Sequence, residues 1–413
     1  MRSQGERYFS TAIAFLIRGE VLRNPVSSKL PGFWAIVHPA ENRYKTKIAI
    51  TEEVAQKIHM DNQQQLLNFA ESYLRESVAP RAAEIDSDPP ALFEALKGLG
   101  ERSLLALRLP KIWGGQEFAE KTFGTFQEIV ARYSGALAFL QTQHQSAGNM
   151  LAVSENESLK QEYLPSLSTG KRLLGVGFSQ LRRLGEPVLK ALPVAGGYEL
   201  HGFVPWVTGF GCFQEFIVAA VLPSGGAVYG VVPFVETHNC AGGSISFSEP
   251  AILAAMTSTN TVTAHLSEWF LPEERVVFLK PAGWIHENDK KNVRNAAFFA
   301  LGCARAGLDI VGDAGNRKQL PFIVTAFDAL NRELNSCREA ILEDSRQDGL
   351  QLRAWAIDLA GRCAMAAVTV SSGAANYKHH AAQRVYREAL VFAVAGQTTA
   401  LMEATLNRLV RNV

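Results

Sequence analysis

An indole and a hydroxyl stand two residues apart in Gly202-Phe203-Val204-Pro205-Trp206-Val207-Thr208-Gly209, a spacing that places both on one face of a β-strand. Trp206 supplies a broad aromatic plane and Thr208 a hydrogen-bonding group next to it. Taken alone, Trp-Val-Thr reads more simply as a core tryptophan beside a β-favouring threonine. Arg317, in Asn316-Arg317-Lys318-Gln319-Leu320-Pro321-Phe322, offers a planar fork of donors that suits phosphate, and reads equally as an ordinary basic residue near a helix start. The adjacent Arg182 and Arg183 fit an anionic ligand or a solvated surface pair. His144, His379 and His380 are scattered, and a lone histidine on a helix is most often a hydrogen-bonded structural residue. Cys212, Cys240, Cys303, Cys337 and Cys363 stand singly, which fits free thiols in a reducing, cytoplasmic setting and argues against a metal site or a disulfide framework.

The elements that must position these groups follow from the pattern along the chain. At 413 residues and 47% hydrophobic content, it can bury a large core in more than one structural unit. A net charge of +1 gives no electrostatic reason to expect nucleic acid as a partner. No apolar run reaches the roughly 18 residues that a membrane span needs, so the chain reads as soluble. From Met60 to about Thr169 the texture is helical: Leu66, Leu67, Ala70, Tyr73 and Leu74 share a face, and Phe93, Leu96, Leu99 and Leu104 form a second stripe. Ala79-Pro80 is expected to break the first run, Pro110 with Gly114-Gly115 to turn the chain, and Gln127 to Leu140 and Leu159 to Leu167 to add helices. Between Leu173 and Lys280, short runs rich in Val, Ile, Phe and Thr alternate with breakers, as in a compact sheet or barrel. Helical texture returns from Asn292 to Val413.

Residues 1–59 are basic overall with one short apolar patch, Ala12 to Ile17. They read as a targeting extension or, more simply, as sequence ahead of a natural start at Met60.

Several segments, in order, resemble the acyl-CoA dehydrogenase family over residues 60–413. They are Val78-Ala79-Pro80…Asp86, Leu109-Pro110-Lys111-Ile112-Trp113-Gly114-Gly115, Tyr163-Leu164-Pro165-Ser166-Leu167-Ser168-Thr169-Gly170, the Trp206 strand, and the terminal Gln383-Arg384-Val385-Tyr386-Arg387-Glu388-Ala389 helix. The resemblance implies an α+β, acyl-CoA dehydrogenase-like fold: a helical domain (60–170), a middle β-barrel or sandwich domain (171–285) and a C-terminal four-helix bundle (286–413). It implies FAD as cofactor, with Trp206 against the flavin ring, Thr208 near its N5 edge, and Phe178 and Ser179 in the segment that binds the pyrimidine. By the same resemblance Arg317 would meet the pyrophosphate of a neighbouring subunit's FAD, in a homodimer or homotetramer, and Gln397 and Thr398 the adenosine half. An acyl-CoA substrate in fatty acid metabolism, and an electron-transfer partner or flavin reductase, follow from the same likeness.

The family's catalytic glutamate has no counterpart. Its loop position is Gly396, and the alternative position on the first helix of the C-terminal unit, counted back from Gly302, is Asn295. General-base catalysis contributes about 10²- to 10⁴-fold, so a chain without it is a poor dehydrogenase, and Gly396→Glu is expected to raise activity. Asp309, Asp313, Glu388 and Glu403 are alternative carboxylates, each explained more simply as an exposed helix charge. Relatives on this fold that add oxygen to reduced flavin need no such base, which leaves a flavin-dependent monooxygenase, or a non-catalytic flavin-binding homologue, as alternatives.

Overall fold

The computed structural model describes residues 33–37, 46–50, 52–238, 243–343 and 348–410, with side chains from residue 60 onward. Cys240 and most of the 1–59 segment, with both readings placed on it, lie outside the described residues. The chain divides into two compact units, Met1–Asn62 and Gln63–Val413. In the first, β1 (Phe33–Val37) pairs antiparallel with β2 (Thr46–Ile50), Phe33 opposite Ile50.

Helix α1 (Glu52–Tyr73) begins ahead of Met60, so the helix start and that methionine do not coincide. Leu67, Ala70 and Leu74 are buried, as their spacing requires. Pro80 does not end the helical path. The chain widens into a π turn at Leu74–Val78, tightens through Ala79–Arg81, and resumes as α2 (Ala82–Ser87), so the missing proline N–H falls in a change of winding rather than in a loop. Helix α3 (Pro89–Glu101) is capped by Asp88, which accepts from Ala91 N at 3.0 Å, and buries Leu92, Leu96 and Leu99. Pro110 leads into a turn whose Gly114 has φ 77°, a conformation that favours glycine.

The segment Gln127 to Leu140 is two helices, α4 (Glu120–Tyr133) and α5 (Gly135–Ala152). Ser134 separates them with extended backbone and caps α5 by accepting from Leu137 N at 3.2 Å, a preference of serine that outweighs the continuous apolar pattern. Helix α6 (Glu157–Leu167) follows.

Nine strands then form one hydrogen-bonded sheet: β3 (Leu174–Gly177), β4 (Leu189–Val194), β5 (Gly197–Val207), β6 (Glu215–Val221), β7 (Ala227–Pro233), β8 (Thr237–His238), β9 (Ser244–Phe247), β10 (Val262–Pro272) and β11 (Val276–Lys280). Its order is β11-β7-β6-β4-β5-β10-β9-β8, with β3 parallel to β6. The pairing of β4 with β6 is a single register position, Lys190 with Val221, so the unit is two sheets joined at one seam.

Helix α7 (Trp284–Lys291) leads to the C-terminal helices α8 (Ala297–Lys318), α9 (Pro321–Leu342), α10 (Gly349–Ser371) and α11 (Ala381–Val394), with α12 (Thr399–Val410) as a fifth long helix. Helix α8 sits at the centre, packed on α4, α9, α10 and α11. Gly302 permits its approach to α4, since a Cβ there would fall 2.2 Å from the Glu128 carbonyl oxygen. No helix among the described residues is long and apolar enough to cross a membrane.

Candidate functional site

Strand β5 carries a bulge where it meets β10: Val207 pairs with Val262 and Val204 with Ala264, so Pro205 and Trp206 together oppose Thr263. Pro205 has no N–H for the ladder, and its carbonyl accepts from Thr263 Oγ1 at 3.2 Å. Trp206 and Thr208 do not share one strand face as expected, because β5 ends at Val207 and Thr208 lies just beyond it. Trp206 is 51% exposed, whereas Thr208 is buried and its hydroxyl bonds Thr261 Oγ1 at 3.0 Å.

After β3 the chain makes a tight turn, Ser179–Arg182, which packs against both β5 and α7. Ser179 Oγ is buried with no hydrogen-bond partner. Its neighbour Gln180 donates to the Ala219 carbonyl at 2.8 Å and leaves its own Oε1 buried and unpartnered. Phe178 meets Tyr229 edge to face at 5.7 Å, and its ring also lies under the Arg182 guanidinium. Of the two adjacent arginines, Arg183 is exposed, while Arg182 grips Asp289 of α7 through two bonds of 2.6 and 2.7 Å.

The loop between α11 and α12 reaches the same region through Arg353 of α10. That guanidinium donates from Nη2 to the carbonyls of Ala395 and Gly396, the latter at 3.4 Å. Burial pulls its pKa down to about 10; Asp289 acts against the shift and Arg182 with it. Gly396 has φ 60°, and Gln397 has a buried Oε1 with no partner. Thr398 Oγ1 accepts from Leu401 N at 3.2 Å and so caps α12, a local role that leaves its lone pairs partly engaged.

The structure thus packs the Phe178–Arg182 turn against β5 and α7, and Arg353, within electrostatic reach of Arg182 and Asp289, holds the Ala395 and Gly396 carbonyls. Arg317 is not among these contacts: it is exposed in the last turn of α8, not near a helix start, with Nε donating to the Asp313 carbonyl at 3.4 Å. Asn295, unlike Arg317, is not on a helix. It lies in the turn before α8, its amide bonded to Asn292 at 3.3 Å.

Among the other carboxylates, Asp313 and Glu403 are exposed, and Asp309 receives Arg132 through two bonds of 2.7 and 2.9 Å. Glu388 departs from expectation by being fully buried. It pairs with Arg384 at 2.6 Å and accepts from Gly135 N at 3.0 Å, which fastens α11 to the start of α5. Burial raises its pKa, against the opposing pull of Arg384.

His144 is wholly engaged by backbone: Nδ1 accepts from Leu174 N at 3.1 Å, so Nε2 carries the proton toward the Leu167 carbonyl at 3.0 Å. Burial lowers its pKa from 6.5 to about 4. Between those values an unfolded imidazole is protonated and the folded one is not. Stability should therefore fall as pH falls through that window, by up to about 3 kcal/mol. Urea midpoints at pH 7 and pH 4.5 for the native chain and His144→Asn check this, the variant losing the part that belongs to the imidazole. His380 caps α11 by accepting from Ala382 N at 3.2 Å, and His379 is exposed against Tyr377.

No group of histidine, cysteine, aspartate and glutamate suited to a metal occurs among the described residues, and Cys212, Cys303, Cys337 and Cys363 are free thiols.

Arg353 and Asp289 are the site residues that sequence reasoning missed. The available signal was a lone arginine on the stripe Ala356, Ile357, Ala360, Ala364 and Ala367, the buried face of an alanine-rich helix.

This three-part architecture is shared with known enzymes. It matches a glutaryl-coenzyme A dehydrogenase bound to glutaryl-CoA at a TM-score of 0.71 and 18% identity, over 88% of this chain and 97% of that one. A Bacillus anthracis acyl-CoA dehydrogenase complexed with FAD matches at 0.71 and 17%, over 85% and 66%. In sequence, residues 60–171 fit the profile of the family described as acyl-CoA dehydrogenase, N-terminal domain. An acyl-CoA dehydrogenase of Bacillus subtilis (strain 168) is 21% identical over 384 residues, which is 85% of this chain and 98% of the relative. The family profile, the sequence relatives and the solved structures all point to the acyl-CoA dehydrogenase superfamily.

Proposed function

We propose that this chain is an FAD-dependent oxidoreductase acting on an acyl thioester, with no carboxylate of its own at either position where the family resemblance expects the base. The observation that carries the reading is the buried, unpartnered hydroxyl of Ser179, in a turn packed on the strand that exposes Trp206. Buried polar atoms are nearly always bonded, so an orphaned hydroxyl fits a polar ligand edge, and a half-exposed indole fits a planar ring. On this reading Trp206 covers the ring, Ser179 and the Phe178 turn hold its pyrimidine edge, and Gln397 turns its buried amide to the cofactor or substrate. Thr208 acts through its bond to Thr261, which fixes the strand end. Arg317, exposed on its own chain, serves a cofactor bound mainly by a second copy. When bound, the flavin would supply the hydride acceptor.

Two stripes support a homodimer or homotetramer: Tyr386, Leu390 and Val394 on α11, and Met402, Leu406 and Leu409 on α12, all exposed at helical spacing. Free thiols agree with a cytoplasmic setting. The electron acceptor would be a partner flavoprotein.

Trp206→Ala should weaken FAD binding by about 10- to 100-fold, the effect of losing a buried aromatic contact of roughly 1.5–3 kcal/mol, as read by fluorescence titration. The reaction itself is tested by anaerobic addition of acyl-CoAs to the reconstituted protein, where flavin bleaching supports the proposal. A flavoprotein that no thioester bleaches, but that takes up oxygen with NADH and a reductase, is instead a monooxygenase. Neither response identifies a non-catalytic homologue.

A further inference from the structure

We propose that Arg353 is the recognition group for a second carboxylate on the acyl chain of the substrate, seated in the space that opens over Gly396. The inference rests on the acyl-thioester reading above and names the substrate class within it.

The local charge is unbalanced. Two guanidiniums, Arg182 and Arg353, share the field of one carboxylate, Asp289, and both Asp289 oxygens are already bonded by Arg182 at 2.6 and 2.7 Å. Arg353 is only 7% exposed, and its acceptors among the described residues are backbone carbonyls, both reached from Nη2. No carboxylate among the described residues stands within ion-pair distance of it, whereas a buried cation ordinarily has such a counter-charge.

The space beside it is open. Gly396 is exposed, and a Cβ built there would meet Arg353 Nη2 at 3.6 Å and, chain neighbours aside, nothing else within 4 Å. The next residue contributes the second polar group, since the buried Gln397 Oε1 has no partner, and turning that amide over presents its Nε2 donors instead. A guanidinium fork beside the loop that carries this amide suits a planar carboxylate. The chain thus reverses the polarity of the loop: the carboxylate that relatives would carry at position 396 is supplied here by the ligand.

The test compares succinyl-CoA with butyryl-CoA, which differ by a carboxylate in place of a methyl group, by calorimetric titration of the full chain as isolated and after FAD reconstitution. The expected result is succinyl-CoA binding at least about tenfold tighter. Arg353→Gln should bring the two within about twofold, and Arg353→Lys should keep part of the preference. Gly396→Glu, which leaves Arg353 untouched, should also abolish the preference by filling the site internally.

Equal binding of the two thioesters by the native chain, or a preference that survives both Arg353→Gln and Gly396→Glu, overturns the proposal. So does an Arg353→Gln protein that is isolated without flavin while the native one is yellow, because that assigns the guanidinium to the cofactor's phosphates. A native chain that never retains FAD yet prefers succinyl-CoA refutes the cofactor reading and leaves the carboxylate site standing.

Discussion

Gly396→Glu alone should leave acyl-CoA-dependent flavin reduction near the native rate, whereas Gly396→Glu combined with Arg353→Gln should raise it by about 10²- to 10⁴-fold. From sequence alone the single substitution is the natural gain of function. The guanidinium changes that expectation. A Cβ at position 396 lies 3.6 Å from Arg353 Nη2, so a glutamate there pairs with a buried cation and becomes a weaker base. The double variant removes the charge and keeps an amide that can still donate to the Ala395 carbonyl, which Arg353 now holds. Position 396 also has φ 60°, so any side chain there adds about 1 kcal/mol or more of backbone strain to both variants. Single-turnover bleaching under anaerobic conditions compares the two proteins at matched flavin content. A single variant as fast as the double would show that Arg353 does not restrain the introduced carboxylate.

Glu388→Ala should be among the most destabilising single substitutions in the chain, at about 3–5 kcal/mol. Glu388 is fully buried, and its removal strands Arg384, whose side chain is 7% exposed, and deprives Gly135 N of its acceptor at the start of α5. Glu388 packs tightly against Gly135, where a Cβ would come within 2.8 Å of the Glu388 carboxyl carbon, so its removal leaves a void at a close contact. Glu388→Gln keeps an acceptor for Gly135 and should lose less. Denaturant midpoints at fixed protein concentration measure both, and an alanine variant within about 1 kcal/mol of the native chain would refute the clamp.

The gross order of the fold was legible because periodicity reports burial directly. Leu67, Ala70 and Leu74 at helical spacing, and Phe216 to Ala220 as an unbroken apolar run, are core residues of a helix and of a central strand. What stayed hidden depends on partners distant in sequence. Glu388 looks like any helix carboxylate until Arg384 and the start of α5 enclose it. Arg182 reads as half of a solvated pair because nothing local announces Asp289, 107 residues on. The bulge at Pro205 stayed hidden as well, because the register slip against Thr263 needs the partner strand to be seen. Of the proposed site, Trp206 and Ser179 are named by the motifs they stand in. The guanidinium over Gly396 was not, because it comes from a helix whose sequence otherwise speaks only of packing.

The bulge has a consequence for recognition. Pro205 cannot donate to the ladder whatever ligand is present, so the register slip beside Trp206 is built into the strand before any encounter. On the proposed function, a flavin ring docking there would meet a backbone already set in its bound form, which lowers the ordering cost of association.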